Sequence, residues 1–294
     1  CVNIDTIQLK PAASTRRMLV CFAHPDDESF GPGGTLAHYA RVGVDVHLIC
    51  ATRGEVGTID PEHLETHGSA AAVRSAELEC AARTLGLTAV HYLGYRDSGM
   101  PGSPDNAHPE ALAAAPAVEV AARVTHIMQL VQPQIVITFD PIGGYYHPDH
   151  IAMHKATLTA YEQLAQQSDS TNGRAPFRPQ KLYYSTYSRR WMRQWLRVMR
   201  LFGDNTRAYG RNGDIDLEKL AQVDFPLHAF INVREVAHIK QAAAACHRSQ
   251  QSLASTWRTR MLFRRRAGKF ETFMRARPPA PKRYREHDLF EGVV

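Results

Sequence analysis

MLVCFAHPDDESFGPGG, residues 18 to 34, is the stretch that decides the fold. Met18 to Ala23 is a short apolar run rich in strand formers, and it stops at once in the polar turn HPDDES and the glycines of GPGG. That reads as a buried strand ending in a loop. Thr35 to Val42 then shows helical spacing and Val44 to Ala51 (VDVHLICA) is a second apolar run. A strand, loop, helix and strand within about 35 residues is the size of a crossover unit, which pairs its strands in parallel.

The alternation continues outward. Ser69 to Leu85 and Ala117 to Val131 read as helices, while AVHYLG from Ala89 and QIVITFD from Gln134 to Asp140 read as strands. The expected fold is therefore α/β: a Rossmann-like, doubly wound, mostly parallel sheet with ligand sites at the carboxyl ends of the strands. His24 to Ser29, Thr52 to Thr58 and Asp140 to His150 each follow a strand and should meet at one edge of the sheet.

Residues 1–166 are expected to form the catalytic core and residues 167–294 a basic, less regular cap, packed on it as one continuous body. QQSDSTNGRAP, from Gln166, divides the two by composition. In the cap, KLYYSTYS (181 to 188) reads as a strand, residues 189 to 200 as a basic helix or partly helical loop and Val236 to Gln250 as a helix. Arg264 to Arg266 and RPPAPKRYR near the end read as exposed segments.

The 294 residues allow a sizeable core, and 44% hydrophobic with 22% charged residues is ordinary globular usage, which excludes disordered, collagen-like and coiled-coil readings. No apolar run approaches the ~20 residues of a membrane span. Five cysteines, odd in number and without CxxC spacing, make a reducing cytoplasm the default expectation. Cys1 reads as a boundary within a longer product, with a processed lipoprotein cysteine as the second reading.

Charge is unevenly spread. Residues 1 to 173 hold 10 Lys and Arg against 19 Asp and Glu, whereas residues 174 to 294 hold 25 against 10. The basic third suits an anionic partner or a plain solvated face, and the solvated face is the preferred reading because no stacking motif accompanies the charge.

Chemistry concentrates in two clusters. In AHPDDE, His24 and Asp27 stand three apart across a turn fixed by Pro25, so both can aim at one point beyond the strand. In HPDH, Pro148 suits a first helical position and places His147 and His150 on one face. A His-Asp-His set with an open fourth position is a catalytic zinc arrangement, and a free neighbouring carboxylate would serve as general base toward a carbonyl. Singly, each cluster could be a Pro-centred turn or a helix start. Together, each at the end of a buried strand, they point to one site. His154 is read as packing. GPGG is read as a turn, since GxGxxG and GK[ST] are absent, and no GxSxG or HExxH occurs.

AHPDDE, TRGEVG (52 to 57), RSAEL (74 to 78), LGYRDSGM (93 to 100) and GGYYHPDH (143 to 150), in this order, resemble the PIG-L/LmbE-like zinc deacetylases, with an echo in HRSQ (247 to 250). LGYRDSGM is most similar to the mycothiol-pathway deacetylase and amidase branch. The resemblance implies one zinc per chain, other divalent ions being accepted, and removal of acetyl from an N-acetylated amino sugar. By motif position it makes His24, Asp27 and His150 the metal ligands, Asp26 the general base and His147 the oxyanion donor. Tyr145 falls near the substrate carbonyl, and Arg74, Asp97 and Glu55 match positions that hold sugar or inositol hydroxyls. Pro104 to Pro116 and the region from Arg189, with Trp191, Trp195 and Trp257, depart from the pattern.

The alternatives are an amidase cleaving a larger acyl group from a thiol conjugate, such as a mycothiol S-conjugate, and a non-enzymatic binder of nucleic acid or an anionic surface through the basic third. The expected partner is a small amino-sugar conjugate, with a homo-oligomer compatible and nucleic acid disfavoured.

Overall fold

The computed structural model describes residues 4–167, 176–209, 213–250 and 269–294. Most of the loop expected after Gln166, together with Trp257 and Arg264 to Arg266, lies outside these residues, as do Cys1 and the side chain of Trp191.

Eight strands form one sheet: β1 (Asp5–Gln8), β2 (Arg17–Phe22), β3 (Asp45–Cys50), β4 (Ala89–Tyr92), β5 (Ile135–Phe139), β6 (Lys181–Ser185), β7 (Ala229–Asn232) and β8 (Phe270–Arg277), in the order β1-β4-β3-β2-β5-β6-β8-β7. The five inner strands from β4 to β6 pair in parallel, and β1, β8 and β7 add antiparallel edges. The α/β fold and mostly parallel sheet read from the sequence are what the chain forms. β2, β3 and β5 are buried along nearly their whole length, the continuous apolar signature of strands covered on both faces.

The helices are α1 (Asp27–Phe30), α2 (Gly33–Arg41), α3 (Pro61–His67), α4 (Ala70–Leu85), α5 (Ala117–Val131), the kinked turn α6 (Gly143–Tyr146), α7 (Pro148–Ala165), α8 (Arg189–Leu201), α9 (Leu217–Leu220) and α10 (Ala237–Cys246). From β2 the chain winds outward through β3 to β4, then returns to the other side of β2 to lay down β5 and β6. The strand order reverses between β2 and β5, the switch point at which sheets of this kind place their ligand sites. AHPDDE leaves β2 and GGYYHPDH follows β5, so both motifs arrive at that switch point.

The chain beyond 167 does more than cover the core. β6, β8 and β7 extend the same sheet, and Phe273 and Ile231 join its continuous hydrophobic core. What lies apart is a small cluster in which Met192, Leu196 and Met199 of α8 meet Leu220 and Ala221 and pack against Ile142, Tyr145 and Tyr146. The basic helix thus buries its apolar face beside the second motif, while Arg193, Arg197 and Arg200 remain exposed. No helix among the described residues is long and apolar enough to cross a membrane.

One expectation changes. Cys80 on α4 and Cys246 at the end of α10 form a disulfide, where the cysteine spacing suggested thiols alone. The pair is separated by 166 residues and is brought together by the packing of α10 on α4, so no local spacing announces it. Cys21 and Cys50 remain buried thiols.

Candidate metal centre

The site is built on two short turns. After β2, the chain reverses so sharply that Asp26 takes φ 127°, ψ −26°, a region that costs a non-glycine residue of order 1–3 kcal/mol. The turn presents His24, Asp26 and Asp27 in quick succession. After β5, Gly143 (φ +62°) permits an approach that a side chain would block, since a Cβ there would stand 2.7 Å from the His150 Cβ. His147 then caps α7, its Nδ1 accepting the Asp149 N–H at 3.2 Å, and Pro148 occupies the first helical position.

The imidazoles are oriented by what their outer nitrogens bind. His24 donates Nε2–H to Asp149 Oδ2 (3.0 Å), because a carboxylate only accepts, and so turns Nδ1 inward. His150 donates Nδ1–H to the Gly143 carbonyl (3.0 Å) and turns Nε2 inward. The two inward nitrogens stand 3.1 Å apart. Asp27 Oδ1 lies 3.3 Å from His150 Nε2, and Oδ2, held by the His24 N–H at 2.8 Å, lies 3.7 Å from His24 Nδ1. Two facing imidazole nitrogens and a carboxylate require a proton or a metal cation among them, and spacings just above 3 Å suit donors about 2 Å from a common ion. The donor set fits a divalent metal.

The electrostatics agree. Burial opposes the ionisation of His24, yet Asp97, Asp149 and Asp27 together hold its pKa well above the usual range, the mark of a negative pocket. Burial and the charge on His24 keep His147 and His150 well below theirs, so both are neutral, and neutral imidazole is the ligand form. In His147 the Nδ1 is an acceptor, which leaves a hydrogen on Nε2 available to a substrate oxygen. His24, His147 and His150 offer donor atoms within 4.8 Å of one another, as do His24, Asp97, His147 and Asp149, so His147 stands in one cluster with two of the three ligand candidates.

The Asp26 carboxylate is paired with Arg74, whose Nη2 lies 3.1 Å from Asp26 Oδ2 and 2.7 Å from the Pro25 carbonyl. Burial pushes the Asp26 carboxyl up to about 7 against the pull of Arg74, with the charge on Asp27 adding to the rise. A carboxylate poised near neutrality can both take and return a proton. Tyr145 stands edge-on to His150 at 4.9 Å between ring centres and roofs the site.

The structure gathers all nine expected residues in one region, with a division among them. Arg74 is only 4% exposed, and its guanidinium fills the cradle of Gly54, where φ is +68° and a Cβ would fall 2.1 Å from Nη1. Its contacts are with Asp26, the Pro25 and Gly54 carbonyls and, at 4.0 Å, Asp97 Oδ2. Asp97 lies behind His24, 3.4 Å from Nε2, and Glu55 accepts the Asp97 N–H at 2.9 Å. His154 is packing, as expected: it donates to the Phe139 carbonyl and lies on Tyr184.

Sequence reasoning missed Asp149, whose carboxylate is fully buried, supports His24 and accepts from the backbone N–H of Ser98 (2.9 Å) and from its hydroxyl. It also missed the buried Arg189 and Asp140 pair at 3.3 Å, which ties α8 to the turn carrying Tyr145 through the Gly144 N–H. The signal for Asp149 was present, since an acid between the two histidines of HPDH has few other reasons to be buried.

These features define a class: an α/β protein with a buried His and Asp donor set, able to hold a metal, at the switch point of its sheet. Residues 19–161 match the family model for PIG-L, GlcNAc-PI de-N-acetylase. The chain is 36% identical over 250 residues to the 1D-myo-inositol 2-acetamido-2-deoxy-alpha-D-glucopyranoside deacetylase of Thermomonospora curvata, covering 82% of each chain. It is 42% identical over 204 residues to the enzyme of that name from Kineococcus radiotolerans, covering 62% of this chain and about half, 55%, of that relative. Among solved structures, N,N'-diacetylchitobiose deacetylase from Pyrococcus horikoshii superposes with a TM-score of 0.58 over 95% of this chain and 86% of that one, at 21% identity, a likeness of fold. The chain belongs to the PIG-L deacetylase family.

Proposed function

We propose that the protein is a metal-dependent N-deacetylase that hydrolyses the acetamide of an N-acetylglucosamine conjugate, with an inositol glycoside as the leading substrate and zinc as the metal. The observation that carries this reading is the convergence of the His24 Nδ1 and His150 Nε2 nitrogens with the Asp27 carboxylate, beside the separate carboxylate of Asp26. It joins a family whose relatives carry the name of that deacetylase.

A divalent ion held by His24, Asp27 and His150 would supply Lewis acidity at the amide carbonyl. The chain's own groups do the rest. Asp26 accepts a proton from the attacking water and returns it to the departing amine, for which a carboxyl near neutrality is suited. His147 donates Nε2–H to the carbonyl oxygen as negative charge develops there, and its neutrality makes it a hydrogen-bond donor rather than a competing cation. Tyr145 closes the site from water on the α7 side. Glu55 and Asp97 are the polar groups set to meet sugar hydroxyls, with Arg74 holding Asp26 beside them.

The cytoplasmic expectation carries a condition. In a reducing cytoplasm Cys80 and Cys246 would stand as two thiols, whereas the disulfide belongs to an oxidising compartment. Thiol counting on protein isolated with an alkylating agent present distinguishes the two.

Acyl-group scanning tests the reaction. Amine release from the N-acetylglucosaminyl inositol and little from a cysteinyl amide on the same scaffold is the expected result. The reverse preference would assign the chain to amidase chemistry.

A further inference from the structure

Asp26, the proposed base, is held in its strained backbone conformation by a buried pair that the mechanism above does not use. Glu28, fully buried, accepts the Asp26 N–H on Oε2 at 3.0 Å and the Ser29 hydroxyl on Oε1 at 2.5 Å. The same Oε1 receives His247 Nε2 at 2.7 Å, from a residue 219 positions away in the sequence and itself fully buried. Where the sequence predicts a helix continuing to Gln250, α10 stops at Cys246, and the break turns His247 down onto Glu28.

The segment that delivers His247 is anchored twice to α4. Glu77 accepts both the N–H (2.8 Å) and the hydroxyl (2.7 Å) of Ser249, and Cys80 is bonded to Cys246. Asp26 is therefore gripped at both ends from this packed pair of helices. Arg74 of α4 takes its carboxylate, and Glu28, loaded by His247, takes its amide. Without the amide anchor, an aspartate at φ 127° would relax toward ordinary backbone angles and swing its carboxylate.

We propose that Glu28 and His247 form a positioning pair that fixes Asp26 in the conformation its role as base requires, so that the HRSQ segment acts on the reaction without touching substrate or metal. The inference rests on the reading of Asp26 as base, and its test separates the two.

The variants are His247→Ala, His247→Gln and the isosteric Glu28→Gln, each compared with the native chain at equal metal content. In His247→Ala and Glu28→Gln, kcat on the N-acetylglucosaminyl inositol should fall about 10- to 100-fold with KM little changed, the usual scale for supports one layer behind a reacting group. His247→Gln, which keeps a donor in reach of Glu28, should recover most of that loss. Independently of activity, hydrogen exchange at the Asp26 amide, read by NMR, should quicken at least tenfold in the Ala variant while the β2 and β3 amides keep their protection. Native kcat in both His247→Ala and Glu28→Gln, or an unchanged Asp26 exchange rate in either, would overturn the pair. Should His247→Ala fail to fold, Glu28→Gln decides alone. Should the native chain release no amine, the deacetylase reading falls, and the exchange rates still judge the pair.

Discussion

Two adjacent carboxylates, Asp26 and Asp27, are given different work by a single turn of backbone. Asp27 accepts N–H groups from Ala23 and His24 and so is drawn back over the metal donors, whereas Asp26 is turned to Arg74. The division makes separable predictions. Asp26→Asn should retain metal and lose turnover by about 10²- to 10⁴-fold, the range of a general base, as metal analysis and initial rates on one preparation will show. His150→Ala should instead lose metal by elemental analysis. The pH profile follows from the same contacts. Asp26 works as the carboxylate and its pKa is raised, so activity is lost as pH falls through the acid limb, below about 7 and lower when a cation adds its charge. Arg74 opposes the rise, so Arg74→Met should move that limb to higher pH, and a limb that stayed in place would remove Arg74 from the control of Asp26.

At the scale of elements, site and scaffold meet where helices begin and end. Gly143→Ala would drive a Cβ to 2.7 Å from that of His150 at a positive φ, so the start of α7 must shift and carry His150, the proposed metal ligand, with it. A 10- to 100-fold loss of metal affinity, on the scale known for displaced ligand supports, is the expected outcome by competition with a chelating dye. The α4 to α10 disulfide closes a very long loop, and Cys80→Ser should lower unfolding free energy by about 2–4 kcal/mol in urea denaturation. Much of this was legible in the sequence. β2 and β5 are continuous apolar runs, each closed by a polar turn, and α4 ends at Gly86 in the left-handed conformation that glycine favours. The antiparallel β1, β7 and β8 were not legible: β1 and β7 are short edge strands, FETFMRAR in β8, between β6 and β7, is half exposed and carries no strong period, and its partners are set by tertiary packing. The Glu28 and His247 contact was equally hidden, because it spans 219 residues and depends on where α10 breaks.

Across the whole molecule, charge and chemistry are divided. The acidic first part holds the metal donors, and the basic last part completes the sheet and lays α8 beside Tyr145 and Tyr146. Several of its arginines are engaged within the fold: Arg189 with Asp140, Arg200 and Arg207 with Glu218, and Arg275 with Glu286. Duplex DNA should therefore bind at physiological salt no more tightly than the ordinary non-specific range of about 10⁻⁴–10⁻⁶ M. A salt-steep affinity well beyond that, surviving His24→Ala, would revive the binding-module reading.

The central claim is that this donor set performs metal-dependent deacetylation. It is tested most directly by amine release from N-acetylglucosaminyl inositol, measured on the protein as isolated, after chelation, and after one equivalent of zinc is restored. Release that vanishes with the metal and returns with it is the predicted result. Release that persists at full rate in the metal-free protein, or is absent in the zinc-loaded one, would contradict it.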